Sequence, residues 1–149
     1  HEKTIRKYFT LKPMLLAPVP EKSICLHFRG TDYRMLNFPI CSREYYLKAL
    51  DMLPADYAIY VFSDAVQTVL DMLYGTRHYN RILLSKGNYM EEFYQMTQCR
   101  HYIISNSTFS WWAAWLGTYP DKQVIATANW YADYMEKNEF IYCKDWMVI

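Results

Sequence analysis

The chain has 149 residues, 52% of them hydrophobic and 18% aromatic, enough to bury a core of its own in one domain without covalent staples. Its formal net charge is +1, with 16 Lys and Arg dispersed among 15 Asp and Glu, which argues against nucleic acid or any other polyanion as its main partner. No apolar run reaches the roughly 18 residues that a membrane span needs, so membrane association is expected to be peripheral at most.

Taken in order, Ile5 to Leu11 reads as a short helix that stops before Pro13. Leu15-Leu16-Ala17-Pro18-Val19-Pro20 then reads as an extended connector, because each proline biases its predecessor away from helix. Residues 1–20 are therefore expected to be a linker helix and connector from a preceding half, and residues 21–149 the folded domain. Ser23 to Phe28 is the first predicted strand. Ser42 caps a helix whose Tyr46, Ala49, Leu50 and Leu53 fall on one face, and Pro54 ends it.

Tyr57 to Phe62 is apolar throughout, as expected of a strand covered on both faces. Val66, Val69, Leu70 and Leu73 repeat the helical stripe. Arg81 to Leu84 is a third strand, and Asn88 with Glu91 forms a capping-box pattern for the next helix. Tyr102 to Ile104 and Gln123 to Ala126 are the fourth and fifth strands, flanking a helix that carries Trp111, Trp112 and Trp115 as core residues. This alternation predicts an α/β, Rossmann-like parallel sheet with helices on both faces. Cys25, Cys41, Cys99 and Cys143 lack CxxC spacing and partnering histidines, and read as reduced thiols of a cytoplasmic protein.

In such sheets ligands bind at the carboxyl ends of the strands. The polar residues there are His27, Arg29 and Asp32 after the first strand, Ser63 and Asp64 after the second, and Asn106, Ser107, Thr108 and Ser110 after the fourth. Arg29 has the planar fork suited to phosphate, or forms a surface ion pair. Asp32 is either a turn residue or a carboxylate that orients His27 or Arg29. Asp64 is an N-cap or a ligand contact, and the hydroxyls at 107, 108 and 110 either cap the helix or surround an anion held at its positive end. No GxGxxG or GxxxxGK[ST] occurs, so a glycine-rich cradle is not expected; nor are HExxH, Asp-x-Asp or a Cys/His cluster present, so no metal is implied. The GxSxG elbow of a serine hydrolase is also missing.

Three blocks carry a resemblance: His27-x-Arg29-x-x-Asp32-Tyr33, then Phe62-Ser63-Asp64, then Met96 to Leu116 with its Ser105-Asn106-Ser107-Thr108-Phe109-Ser110-Trp111-Trp112 centre. Together they resemble the three motifs of the α-1,2-fucosyltransferases of glycosyltransferase family 11, over the carboxy-terminal, donor-binding half of a GT-B-like enzyme. The resemblance implies metal-independent, inverting transfer of L-fucose from GDP-β-L-fucose to a galactose 2-hydroxyl on an oligosaccharide acceptor, with no cofactor beyond the GDP-fucose donor. It implies that Arg29 binds the β-phosphate, that Ser107, Thr108 and Ser110 hold the same diphosphate, and that His27 lies against the nucleotide. Asp32 would be a general base unless the acceptor half supplies one, and Glu92, where the family commonly has Asp, would accept guanine N–H groups.

Two departures stand out: Gly30-Thr31 replaces the family's usual Arg-Gly, and Ala65 follows Asp64 where a second acid is common. The competing expectations are a noncatalytic nucleotide- or glycan-binding module, and a transferase that uses another nucleotide sugar.

Overall fold

A computed structural model describes residues 1–132, 135 and 139–149. Its strands are β1 (Ser23–Phe28), β2 (Ala58–Ser63), β3 (Ile82–Leu84), β4 (His101–Ile104), β5 (Val124–Ala126) and β6 (Met147–Val148). Its α-helices are α1 (Glu2–Tyr8), α2 (Thr31–Met35), α3 (Arg43–Asp51), α4 (Val66–Leu73), α5 (Tyr89–Thr97) and α6 (Thr108–Leu116).

The strands form one sheet in the order β3-β2-β1-β4-β5-β6, and every pairing is parallel. The chain builds outward from β1 to β3, crosses back through α5, and builds the other way from β4. Strand order therefore reverses between β1 and β4, and a crevice belongs at their carboxyl ends. The architecture is the α/β, Rossmann-like one that the alternation predicts.

Side-chain alternation divides the core into two layers. Leu26, Phe28 and Val61 face α3 and α4, where they meet Tyr46, Leu50, Val69 and Leu73. Cys25, Phe62 and Tyr102 face the opposite way, toward Met96 of α5 and Ala113 and Ala114 of α6. All six residues of β1 are buried, which explains why its sequence is a nearly continuous apolar run. Ser42 caps α3 by accepting from the Tyr45 amide, and Asn88 and Glu91 complete the expected capping box of α5.

The amino-terminal helix lies three residues earlier than the apolar pattern places it. The Thr10 hydroxyl donates back to the Arg6 and Lys7 carbonyls, so the chain turns out of the helix there. Residues 11–20 carry no helix or strand, in keeping with their prolines. Two elements had no periodic signal because they are so short: five-residue α2 and two-residue β6. No helix among the described residues is long and apolar enough to cross a membrane.

Helix α3 fixes the rim of the sheet through two phenols. The Tyr45 hydroxyl reaches the carbonyls of Ile104 at 2.7 Å, at the end of β4, and of Ile125 at 3.1 Å, in the middle of β5. The Tyr46 hydroxyl donates to the His27 carbonyl at 2.9 Å, near the end of β1. Replacing Tyr45 by Phe leaves two buried carbonyls without this donor and should lower stability by about 1–2 kcal/mol. Urea unfolding checks this: a lower midpoint at constant slope is expected, and an unchanged midpoint contradicts it.

Candidate functional site

Arg29 leaves the end of β1 and is held by two carboxylates. Its Nε and Nη2 donate to Asp32 Oδ1 and Oδ2 at 2.9 and 2.6 Å, and Asp64 Oδ2 lies 3.5 Å from Nε. The Arg29 side chain remains 38% exposed, and Nη1 takes part in neither contact. A guanidinium has five N–H donors, so one edge stays open to the rim. Hydrogen bonding from Arg29 keeps the Asp32 carboxyl below its usual range.

Asp64 holds the loop from which Arg29 springs. Its carboxylate accepts from the amides of Gly30 at 2.9 Å and Thr31 at 3.1 Å, and from the Thr31 hydroxyl. It does not cap α4: the capping position is Ala65, which offers no side-chain bond. The loop is drawn so tightly onto the strand that a Cβ at Gly30 would come within 2.5 Å of the buried Phe28 ring. In this arrangement a larger residue at position 30 requires the Phe28 ring to shift.

Tyr33 ties this loop to the one after β4. Its ring centroid is 6.0 Å from the Arg29 guanidinium carbon, and its hydroxyl donates to the Asn106 carbonyl at 2.9 Å. The structure thus joins Arg29, Asp32, Asp64 and the start of α6 on one rim. Ser107 occupies the capping position of α6 in an extended conformation, but its side chain makes no capping bond. Thr108 is exposed beside it. The first turn of this nine-residue helix therefore presents amides that no side chain caps.

Other expected residues have structural partners instead. Ser110 is fully buried, its hydroxyl turned toward the carbonyls of Ser107 at 3.1 Å and Ser105 at 3.5 Å. The Asn106 side chain donates to the Pro39 and Trp130 carbonyls, bracing the loop. Ser63 accepts from the Ala65 amide at 2.9 Å and bends the chain out of β2. Glu92 is half-buried on α5, and burial raises its pKa. It makes no hydrogen bond or ion pair with the Arg29 cluster among the described residues.

His27 sits at the same rim, 4% exposed, with Nδ1 2.8 Å from the Ser105 hydroxyl and its ring 5.9 Å from that of Phe109. Burial, followed by the charge of Arg29, lowers its pKa to about 4, so the ring is neutral at neutral pH. No three His, Cys, Asp or Glu side chains gather as metal ligands among the described residues. Sequence reasoning missed Thr31, Tyr33 and Ser105 as site residues. The first two lie within the quoted first block, but only the fold reveals that they reach across to β2 and β4.

The family model for glycosyl transferase family 11 matches residues 9–149. Among curated proteins, the chain is similar to the O-antigen biosynthesis glycosyltransferase WbnK of Escherichia coli, with 33% identity over 118 residues, 72% of this chain and 38% of that protein. It is also similar to an alpha-1,2-colitosyltransferase of Escherichia coli, with 28% identity over 135 residues, 83% of this chain and 46% of that protein. The chain thus spans less than half the length of either relative. No solved structure matches it significantly.

The buried histidine makes stability depend on pH. Between pH 6.5 and about 4 the unfolded chain protonates His27 while the folded one does not, so stability falls as pH drops through that window. The loss amounts to about 3 kcal/mol. Urea unfolding at several pH values should show an extra one-proton slope that His27→Asn removes; identical slopes in the two proteins would contradict it.

Proposed function

Because the chain belongs to glycosyl transferase family 11, we propose that it supplies the nucleotide-sugar site of an inverting, metal-independent transferase that moves L-fucose from GDP-β-L-fucose to the 2-hydroxyl of a galactoside. The observation that carries this reading is the pairing of a half-exposed, carboxylate-oriented Arg29 with the uncapped start of α6 at the β1–β4 switch. Two donor sets of positive potential facing one crevice suit a diphosphate better than a single charge.

In this reading the open edge of Arg29 and the amides and hydroxyls of Ser107 and Thr108 hold the diphosphate. Departure of GDP builds negative charge on the β-phosphate, and donors already fixed there stabilise the transition state more than the ground state. Asp32 and Asp64 keep Arg29 in place. Asp32 acts as general base toward an acceptor hydroxyl only once its pair with Arg29 opens, because that pair lowers its proton affinity. Glu92, half-buried on a helix that starts at the same rim, accepts the guanine N–H groups. The galactoside acceptor is held by sequence outside this span, and the reaction takes place on the cytoplasmic side.

A second reading keeps the site and changes the sugar. One relative is named for colitosyl transfer, so a nucleotide-linked colitose is the alternative donor. Measuring GDP release from GDP-fucose and GDP-colitose with a galactoside acceptor separates the two.

Arg29→Ala should weaken GDP binding by about 1.5–3 kcal/mol, the scale of a hydrogen bond to a charged group. Calorimetry that finds GDP affinity unchanged in this variant rejects the assignment of Arg29.

A further inference from the structure

We propose that Ser105 is a positioning residue: its hydroxyl fixes the His27 ring in the Nε2–H tautomer and so presents a neutral hydrogen-bond donor to an oxygen of the bound nucleoside diphosphate. The ligand half of this proposal rests on the function proposed above; the tautomer half does not.

The argument is one of hydrogen-bond satisfaction. Ser105 is 1% exposed, and its Oγ lies 2.8 Å from His27 Nδ1. If Oγ–H donates, Nδ1 is the acceptor and both atoms are satisfied. If Nδ1–H donated instead, the serine proton would be left in a sealed place without an acceptor, which buried hydroxyls avoid. The ring proton therefore resides on Nε2.

That nitrogen has no protein partner among the described residues. It is not sealed either, since Ser23 Oγ is the one side-chain polar atom among them that is fully buried and unpartnered. His27 is the penultimate residue of β1, two positions before Arg29, and the charges of Arg29 and Asp64 act on its ring. His27 is 4% exposed, at the end of the strand from which Arg29 leaves.

The surroundings suit a neutral donor. Arg29 and Asp64 are the charged groups that act on the ring, the Phe109 ring packs beside it, and the Tyr46 hydroxyl anchors its backbone carbonyl. A second cation next to Arg29 would be repelled by it, whereas a neutral imidazole adds a donor without that repulsion. Its hydrogen bond also requires no protonation step.

The test is a two-bond 1H–15N correlation spectrum of the protein labelled at histidine, with His27 assigned by His27→Asn. At pH 7 a protonated Nε2 and a bare Nδ1 are expected, and added GDP should shift Nε2. Ser105→Ala should mix the tautomers and weaken GDP binding by about 3- to 10-fold, the scale of one neutral hydrogen bond, and Ser105→Thr should restore both. A protonated Nδ1 in the unaltered protein overturns the proposal whether or not the alanine variant folds. So does a Ser105→Ala protein with tautomer and GDP affinity unchanged. GDP that binds without moving His27 removes the donor role alone, and a protein that binds no GDP overturns the nucleotide-site reading and the ligand half with it.

Discussion

Arg29 stands between Asp32 and Asp64 where the strand order reverses, and the geometry of the rim follows from that contact. The pair with Asp32 is partly exposed, and such pairs add little to stability. Its effect is on direction: a bidentate carboxylate holds one edge of the guanidinium so that the other edge faces outward. Asp64 acts on the backbone instead. Two amides and a hydroxyl compensate its charge, and these bonds set the path of the chain on either side of the arginine.

Helix α6 complements this from the neighbouring strand. Its carboxyl end is closed by two cations. Lys122 donates to the carbonyls of Ala114, Trp115 and Gly117 at 2.7, 3.1 and 2.7 Å, and Arg6 reaches the Trp115 carbonyl at 2.8 Å while lying 4.1 Å over its ring. Burial and the nearby Arg6 bring the Lys122 pKa down to about 8, which still leaves it charged at neutral pH. Positive charge at the carboxyl end of a helix matches its dipole, and the amino end of α6 offers the opposite potential with no side-chain cap. The helix is thus satisfied at one end and open at the other. Phe9 stacks on Trp112 at 5.1 Å, so the segment around α1 packs along the same helix that it caps.

Much of this could be read from residue types alone, and the rest could not, for physical reasons. Periodicity located α3, α4 and α5 because their apolar stripes are long, and Ser42 and Asn88 marked helix starts because capping is a local interaction. Strand β6 escaped because two residues carry no alternation, and it forms only through pairing with β5. At the site, strand ends identified Arg29 and Ser107 as neighbours on one rim. For Asp64 residue type offered an N-cap or a ligand contact; its bonds to the Gly30–Thr31 loop could not be read there, because they depend on a loop 34 positions away in sequence meeting it in space. Ser110 likewise looked available from its spacing, yet helical geometry turns its hydroxyl back onto the Ser107 carbonyl.

The central claim is that an arginine and a helix end hold two linked phosphates together. Comparing the affinities of this protein for GDP, GMP and guanosine by calorimetry tests it most directly. The account predicts that GDP binds at least about tenfold more tightly than GMP, since the second phosphate gains charge-assisted bonds. Equal affinity for GDP and GMP would contradict it.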